Sequence, residues 1–368
     1  MYTMSKPNEK IKYLHIWNGS NYATINAFTR LINENFEPTE HFFIVRDSRD
    51  NPQQTVSHYD NVIWLAGAEN EKTQRREFFR RLERAETIYW HAMGWYWTTQ
   101  LRLILKPRLM KKSVWVEWGR DLYNWKRTDG LPLRRLIING IYKRWHRGVK
   151  AQVAIFPADE EVLKKEFPIK GTVYYAEYCA ATADFTDSLK PEPLDDGKTH
   201  ILLGHSATEA CHHIRVLEAL EKWKEKPIII HIPLNYGDLD YGRQVKKRAA
   251  ELFPEDKLDI IEEKMPLEDY IRFLWHIDIG IFDVDRQIAL GNICRLLYMC
   301  KKIYLPEESL LYKFFTDNNT EVFPLEMLKS EFDDFIKPSQ AVKPSDYIAD
   351  GMDSGKIINM WKKVFEGA

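Results

Sequence analysis

The chain has 368 residues, a formal net charge of −1 and 44% apolar residues. A single hydrophobic core stops growing near about 250–300 residues, so two domains are expected. Balanced charge argues against a nucleic-acid binder. The four cysteines, Cys179, Cys211, Cys294 and Cys300, form no CxxC pair, which excludes a zinc or disulfide framework and suits a reduced, cytoplasmic protein.

The first ten residues are polar and charged, with no apolar signal region. No run approaches the roughly 20 apolar residues that span a bilayer. Twelve Trp and 18 Tyr suit interfaces and sugar faces, although most are expected in the core. Residues 11–17 read as the first strand and 18–21 as a turn. Ile25, Phe28, Thr29 and Ile32 then recur at helical spacing. Strands are expected at 41–45, 61–65, 87–90 and 113–117, with helices at 72–85 and 95–105. His91 ends the fourth strand, and Trp118-Gly119-Arg120-Asp121 follows the fifth. Alternation at this pace implies a parallel α/β sheet.

Residues 131–150 differ. They carry Arg134, Arg135, Lys143, Arg144, Arg147 and Lys150 and no acid, interleaved with Leu133, Ile137, Ile138, Ile141, Tyr142 and Trp145. A basic amphipathic segment of this kind lies on an anionic membrane surface. The plainer alternative is a core helix with a cationic outer face. Residues 151–156 read as another strand and 157–161 as the start of a short helix. Residues 187–198, rich in Asp, Pro and Lys, read as the interdomain linker.

The second half restarts the pattern. Strands are expected at 199–203, 227–232 and 258–261, and helices at 209–222, 241–253 and 268–275. Residues 277–305 then read as strand, loop, helix, strand. Ile293, Leu296, Leu297 and Cys300 mark the helix face. The loop 283–292 lies at the carboxyl end of a buried strand and feeds a helix N-terminus, where free N–H groups and the helix dipole favour an anion such as phosphate. Arg286 adds a fork of donors, and Gln287, Gly291 and Asn292 add polar or close-approach positions. A surface loop with a solvated Arg is the alternative. A last periodic helix is expected within 345–365. Ligands in such sheets bind beyond the carboxyl ends of strands, so the loops at 204–208, 235–237, 265–267 and 283–292 are expected to face one cleft.

In these motifs the chain resembles the bacterial TDP-N-acetylfucosamine:lipid II N-acetylfucosaminyltransferases, glycosyltransferase family 56. The resemblance rests on Gly204-His205-Ser206 with His213-Ile214 beyond it, on Pro233-Leu234-Asn235-Tyr236-Gly237, and on Lys264-Met265 to Tyr270. It also rests on Asp278 through Leu297 with Arg286-Gln287 and Gly291, and on Trp118-Gly119-Arg120-Asp121-Leu122-Tyr123. It covers most of the chain. His205 stands where the family usually has Asn, and Ala210-Cys211-His212 stands where it is richer in Asn, Pro and Ser. The resemblance implies an α/β fold of GT-B architecture, two Rossmann-like domains with parallel sheets facing across a cleft. It places an acceptor and membrane-side domain at 1–190, a nucleotide-sugar domain at 191–340, and a C-terminal helix within 341–368 packing back toward the first domain.

The resemblance also implies a chemistry. A sugar, deoxy or acetamido, moves from a nucleotide diphosphate donor, TDP-linked, to a polyprenyl-diphosphate-linked glycan. The enzyme would be cytoplasmic and peripheral to the inner membrane face. Leaving-group stabilisation falls to Arg286, Gln287, Gly291, Asn292, Ser206 and Gly204. His205, His213, Tyr236 and Met265 would line the nucleotide and sugar. Asp121, His91 and Glu117, at strand ends of the first half, are the candidates for taking the acceptor's proton; His91 titrates near neutrality if unperturbed. Asp121 could instead cap the helix after Gly119. Arg134, Arg135, Lys143, Arg144 and Arg147 would meet the membrane or the lipid diphosphate. No metal, cofactor or nucleic-acid partner is expected, although Asp283-Val284-Asp285 has the spelling of a metal clamp. The competing readings are a sugar-nucleotide epimerase of the same architecture and a non-catalytic lipid- or partner-binding subunit.

Overall fold

Short apolar runs separated by amphipathic segments build two parallel sheets, each in its own unit. A computed structural model describes residues 10–18, 22–47, 59–66, 71–92, 97–123, 125–126, 130–178, 181–284 and 286–368. Residues 19–21 of the expected turn, Trp95, Cys179 and Asp285 lie outside them. One unit comprises Met1–Ala180 with Ser354–Ala368, and the other Ala181–Asp353.

The first unit runs β1 (Ile11–Asn18), α1 (Tyr22–Asn35), β2 (His41–Asp47), β3 (Val62–Ala66), α2 (Glu71–Arg84), β4 (Ala85–His91), α3 (Trp97–Ile104), α4 (Pro107–Met110), β5 (Ser113–Val116), α5 (Arg120–Tyr123), α6 (Pro132–Gly148), β6 (Ala151–Ala154), α7 (Asp159–Glu166) and β7 (Val173–Tyr175). Its strand order is β3-β2-β1-β4-β5-β6-β7, all parallel. Order reverses between β1 and β4, which opens a crevice at their carboxyl ends.

The second unit runs α8 (Ala183–Ser188), β8 (Thr199–Leu203), α9 (His213–Leu220), β9 (Ile228–Pro233), α10 (Leu239–Leu252), β10 (Leu258–Ile261), α11 (Leu267–Trp275), β11 (Ile279–Ile281), α12 (Leu290–Tyr298), β12 (Lys302–Leu305), α13 (Leu310–Asp317), β13 (Phe323–Pro324), α14 (Phe332–Ile336) and α15 (Asp346–Met352). Its order is β10-β9-β8-β11-β12-β13, again parallel, and it reverses between β8 and β11. The final helix, α16 (Ser354–Gly367), belongs to the first unit.

Several boundaries differ from the sequence reading. The division falls at residue 180, ahead of the expected linker. Residues 186 and 187 are instead bound into the second unit: Trp275 Nε1 donates to Thr186 O at 3.1 Å and Tyr298 OH to Asp187 Oδ2 at 2.8 Å. The tail is two helices, because Asp353 adopts extended backbone after α15. In α16, Ile357, Trp361 and Val364 are fully buried, and Trp361 Nε1 donates to Glu177 O at 2.9 Å. The helix expected from residue 209 starts at His213, since His212 is left-handed at φ 44°. Strands β7 and β13 are too short, at three and two residues, to show a period.

Within residues 131–150, Pro132–Gly148 form α6, which packs on α3. Its inward side is Ile138, Tyr142, Trp145 and His146. The His146 ring lies 3.9 Å from Tyr142 and 4.0 Å from Trp115, centroid to centroid, and its Nδ1 donates to Tyr142 O at 2.8 Å. Burial pulls its pKa down to about 3. In the unfolded chain it titrates near about 6.5, so its contribution to stability is complete above that pH and is lost as pH falls toward the folded value. Chemical denaturation at pH 7 and pH 5 checks this. His146→Phe should lose about 2 kcal/mol less than the parent over that interval.

Candidate active site

In the second unit the loops after β8, β9, β10 and β11 lie along one edge of the sheet. Gly204 N donates to Ile281 O at 3.0 Å, which ties the end of β8 to β11. Gly204 has φ +68°, and a Cβ there would stand 2.4 Å from His213 Nε2. Only glycine allows that ring to tuck behind the turn. The β8 and β9 loops are zipped together: Ala207 N donates to Tyr236 O at 2.8 Å and Asp238 N to Ala207 O at 2.7 Å. Gly237, at φ +115°, permits this, since its Cβ would meet Ala207 O at 2.3 Å.

His205 is the hub of the first loop. Its Nε2 lies 3.2 Å from Ser206 Oγ and its Nδ1 3.2 Å from Cys211 Sγ. Burial and the nearby charge of Arg286 pull its pKa down to about 4, so the ring is neutral near pH 7. Burial raises the Cys211 thiol to about 11, and Arg286 acts on it in the opposite sense. Arg286, His205, Ser206 and Cys211 therefore share one neighbourhood. Tyr236, 56% exposed, presents its ring edge to His205 at 6.1 Å.

The β11 loop supplies the rest. Arg215 of α9 grips the fully buried Asp283 with a two-pronged pair, Nε donating to Oδ2 at 2.6 Å and Nη2 to Oδ1. His212 Nδ1 donates to Asp283 O at 2.9 Å. The Asp283 carboxylate, part of a triplet with the spelling of a metal clamp although no metal was expected, is held by a guanidinium. Among the described residues, no group of three His, Cys, Asp or Glu side chains is placed to hold a metal ion. Gln287 is 5% exposed, and its Nε2 is buried without a partner. The N-cap of α12 is Ala289, left-handed at φ 62°, and no side chain caps the helix. Asn292 lies near the buried Tyr270 phenol. Gly291 sits in the first turn of α12 with φ in the ordinary range, and its O accepts from Arg295 Nη1 at 3.0 Å. Met265 is half-buried in the β10 loop. His213 is fully buried behind Gly204, with Nδ1 3.4 Å from Tyr241 OH. It shapes the turn from beneath, where a nucleotide contact was expected.

The arrangement suits an anion. Left-handed, non-glycine backbone costs about 1–2 kcal/mol and collects at functional sites. Both His212, ahead of α9, and Ala289, ahead of α12, adopt it. An uncapped helix start, a buried amide donor and a guanidinium close to Ser206 are features that favour a bound anion.

The first unit has its own strained edge: Ala92, just after His91, is left-handed at φ 57°. His91 stacks on Trp17 at 4.2 Å and an interplanar angle of 2°. Its Nε2 lies 2.9 Å from His15 Nδ1 and its Nδ1 is bonded to Tyr178 OH. Burial drives its pKa well below the usual value, so it does not titrate near neutrality as the unperturbed value suggested. Asp121 is an anchor. Its Oδ2 accepts from Trp115 Nε1 and its Oδ1 from Trp118 N, both at 2.7 Å. Glu117 is fully buried, accepting from Gly119 N at 2.6 Å and Ile155 N at 3.0 Å. Burial, then Asp159 and Asp121, push its carboxyl well above the usual range. The sequence reading did not reach Tyr178, His15 or His41. The available signal was a histidine in the middle of an apolar strand, His15 within Leu14-His15-Ile16.

On the basic helix, Leu131, Leu133, Leu136 and Ile137 are 54–74% exposed. Arg134, Arg144 and Arg147 are exposed, and Arg135 and Lys143 half-buried. An open apolar hollow of about 360 Å³ is lined by Leu131, Leu133, Arg134, Ile137 and Ile138.

Because both Asp121 oxygens accept from buried donors, Asp121→Asn turns one acceptor into a donor facing a donor. Urea denaturation should show a loss of about 1–3 kcal/mol. A group acting only as proton acceptor would leave stability unchanged.

Residues 20–333 match the family described as 4-alpha-L-fucosyltransferase, glycosyl transferase group 56. Three solved structures are similar in fold. A glycosyltransferase from Rickettsia africae is 14% identical over 98% of both chains, with a TM-score of 0.66. Anabaena HepE, in complex with UDP and glucose, is 10% identical over 97% of this chain and 100% of its own, with a TM-score of 0.67. A putative UDP-N-acetylglucosamine 2-epimerase from Listeria monocytogenes is 14% identical over 98% of both, with a TM-score of 0.55. Paired parallel sheets of this kind are shared by transferases and epimerases, and the family match separates the two. The chain belongs to glycosyltransferase family 56, a sugar-transferring enzyme of GT-B architecture.

Proposed function

We propose that the enzyme takes its sugar from a nucleoside diphosphate donor, TDP-linked, and delivers it to a polyprenyl-diphosphate-linked glycan at an anionic membrane face. The observation that carries the donor half is Arg286 beside the β8 loop, next to the uncapped start of α12 and the partnerless Nε2 of Gln287. As the sugar–phosphate bond breaks, negative charge gathers on the departing diphosphate. Fixed donors aimed at that charge lower the barrier without reorganising. Ser206 is oriented by His205, which is itself held by Cys211. The base of the nucleotide rests on the family resemblance alone.

The acceptor half rests on α6. Leu133, Leu136, Ile137, Arg144 and Arg147 fall within about 100° of one helix face. That face is apolar in its first half and cationic in its second, which suits acyl chains beside anionic headgroups. Among the described residues no helix is long and apolar enough to cross a membrane. Of the three groups considered for the acceptor's proton, we favour the His91 end, because its ring nitrogens continue through Tyr178 OH on one side and His15 on the other, whereas the Asp121 and Glu117 oxygens accept from backbone and Trp donors.

Thermal unfolding with TDP, UDP and GDP tests the donor. A ligand at about a hundred times its dissociation constant adds about 2.7 kcal/mol. TDP should stabilise the parent and fail to stabilise Arg286→Ala. A larger effect of UDP or GDP on the parent would reassign the donor, and no effect of any would remove the diphosphate site. Co-sedimentation with phosphatidylserine vesicles tests the membrane face. Binding should exceed that to neutral vesicles and fall about tenfold or more when Arg144 and Arg147 are both changed to Glu, about 1 kcal/mol being contributed by each cation near such a surface. Equal binding to both kinds of vesicle would sink it.

A further inference from the structure

Three histidines on neighbouring strands of the first unit touch in series. His91 Nε2 lies 2.9 Å from His15 Nδ1, and His15 Nε2 lies 3.0 Å from His41 Nδ1. Tyr178 OH is bonded to His91 Nδ1 at the near end. Register explains the series. His15 pairs with Tyr89 on β4 and Phe43 on β2, while His91 and His41 sit two residues from those partners. All three rings therefore project from one face of the sheet, on a diagonal across β4, β1 and β2. His15 and His91 are fully buried and His41 is 2% exposed. Stacked rings fix them: His15 lies 4.6 Å from Phe43 and 5.1 Å from Tyr89, and Phe365 meets His41 at 4.9 Å.

We infer that Tyr178, His91, His15 and His41 form one directional proton relay, in which His15 and His41 set the tautomer of His91 and so the sense of its bond to Tyr178. The inference adds to the transfer reaction and rests on reading this edge as the acceptor side. Burial keeps all three rings neutral, with the Lys12 charge acting further against protonation of His41. A neutral imidazole donates from one nitrogen and accepts at the other. A chain of three then has only two self-consistent states. In the first, Tyr178 donates to His91 Nδ1, His91 Nε2–H to His15 Nδ1, and His15 Nε2–H to His41 Nδ1. In the second, every N–H points the other way, and His91 Nδ1–H donates to the Tyr178 oxygen.

Converting the first state to the second carries one proton across the sheet, with every ring neutral before and after. An acceptor hydroxyl bound against Tyr178 gives its proton to the phenol oxygen as its own oxygen bonds to the sugar. The phenol proton passes to His91 Nδ1, each following N–H proton moves one ring along, and one proton leaves His41 Nε2 for water. The diphosphate departs with the bonding electron pair. His15 and His41 are positioning residues here, since each acts through its neighbour.

The test needs no substrate, so it stands or falls apart from the donor and acceptor assignments. The full-length protein is labelled with 15N in its histidine rings, and long-range 1H–15N correlation is recorded at neutral pH. Loss of signals in His91→Phe, His15→Phe and His41→Phe assigns the rings. Each of the three should show one protonated and one bare nitrogen, in the same sense along the chain. His41→Phe should change the tautomer balance of His91 although His15 stands between them, whereas His41→Asn, whose amide can both give and accept a hydrogen at the Nδ1 position, should preserve it. An unchanged His91 in both His15→Phe and His41→Phe, or an imidazolium at any of the three positions, would overturn the relay. If His15→Phe does not fold, the comparison of His41→Phe with His41→Asn decides alone.

Discussion

The candidate donor site depends on one buried ion pair. Asp283 has no exposed surface, and an isolated carboxylate at such a place costs several kcal/mol. Arg215 meets it with two parallel bonds, and the Arg215 side chain remains 65% exposed, so one partner keeps much of its hydration. The pair joins the end of β11 to α9. With His212 Nδ1 donating to Asp283 O, it also fixes the turn that precedes α9. The loop carrying Arg286 and Gln287 and the loop carrying His205 and Ser206 are thereby held in one arrangement before any ligand arrives. Preorganisation of that kind is where electrostatic catalysis draws its strength, because donors already in place need no reorientation as charge develops.

Both units spend histidines in the interior, but they terminate them differently. In the second unit His200 Nδ1 lies 2.9 Å from His231 Nε2, and carboxylates close both ends, Asp196 at 3.1 Å and Asp259 at 2.6 Å. Each carboxylate demands an N–H from the ring facing it, which pins the outer hydrogens of the pair. The hydrogen bond from His231 in turn lowers the Asp259 pKa. In the first unit the series ends on a phenol at one side and on a ring among Tyr13, Phe36 and Phe365 at the other. No carboxylate bond pins either described end. That difference makes one cluster a strut and leaves the other free to reverse its polarity.

Much of this was legible in the sequence, and what was not has physical reasons. Strands such as Thr199–Leu203 and Ile228–Pro233 announce themselves because both faces of a parallel sheet are covered, so apolar residues run on. The loop from Asp283 to Asn292 was legible through its place between a strand and a helix. The break at His212 was not, because the left-handed conformation is imposed by the Asp283 carbonyl and by Gly204 packing against His213, contacts remote in sequence. Asp121 was read both as a proton acceptor and as a cap. The structure supplies the indole of Trp115, six residues earlier, as its second donor, and local pattern cannot show which side chains share a buried pocket. The exposed Leu131, Leu133, Leu136 and Ile137 went partly unseen for the opposite reason: helical spacing reports a stripe, not which stripe is covered.

The first unit gathers Glu117, Asp121 and Asp159, all with little or no exposure, in one acidic neighbourhood. Mutual repulsion makes this costly, and folding alone gives no reason to keep it. Each carboxylate is engaged: Glu117 by two backbone N–H groups, Asp121 by Trp115 and Trp118, Asp159 by Tyr123 OH. The donors in these bonds are backbone N–H groups, an indole N–H and a phenol. The cluster lies at the carboxyl edge of β5, beside Trp17, His91 and Tyr178, and burial together with its other members holds the Glu117 carboxyl well above the usual range. The histidine rings nearby stay neutral because they are buried. Departures from the local rules of burial are expected where a fold is shaped for chemistry, and this edge concentrates them: a left-handed alanine, three buried acids and the His91 imidazole, from which the file of buried rings runs back across the sheet.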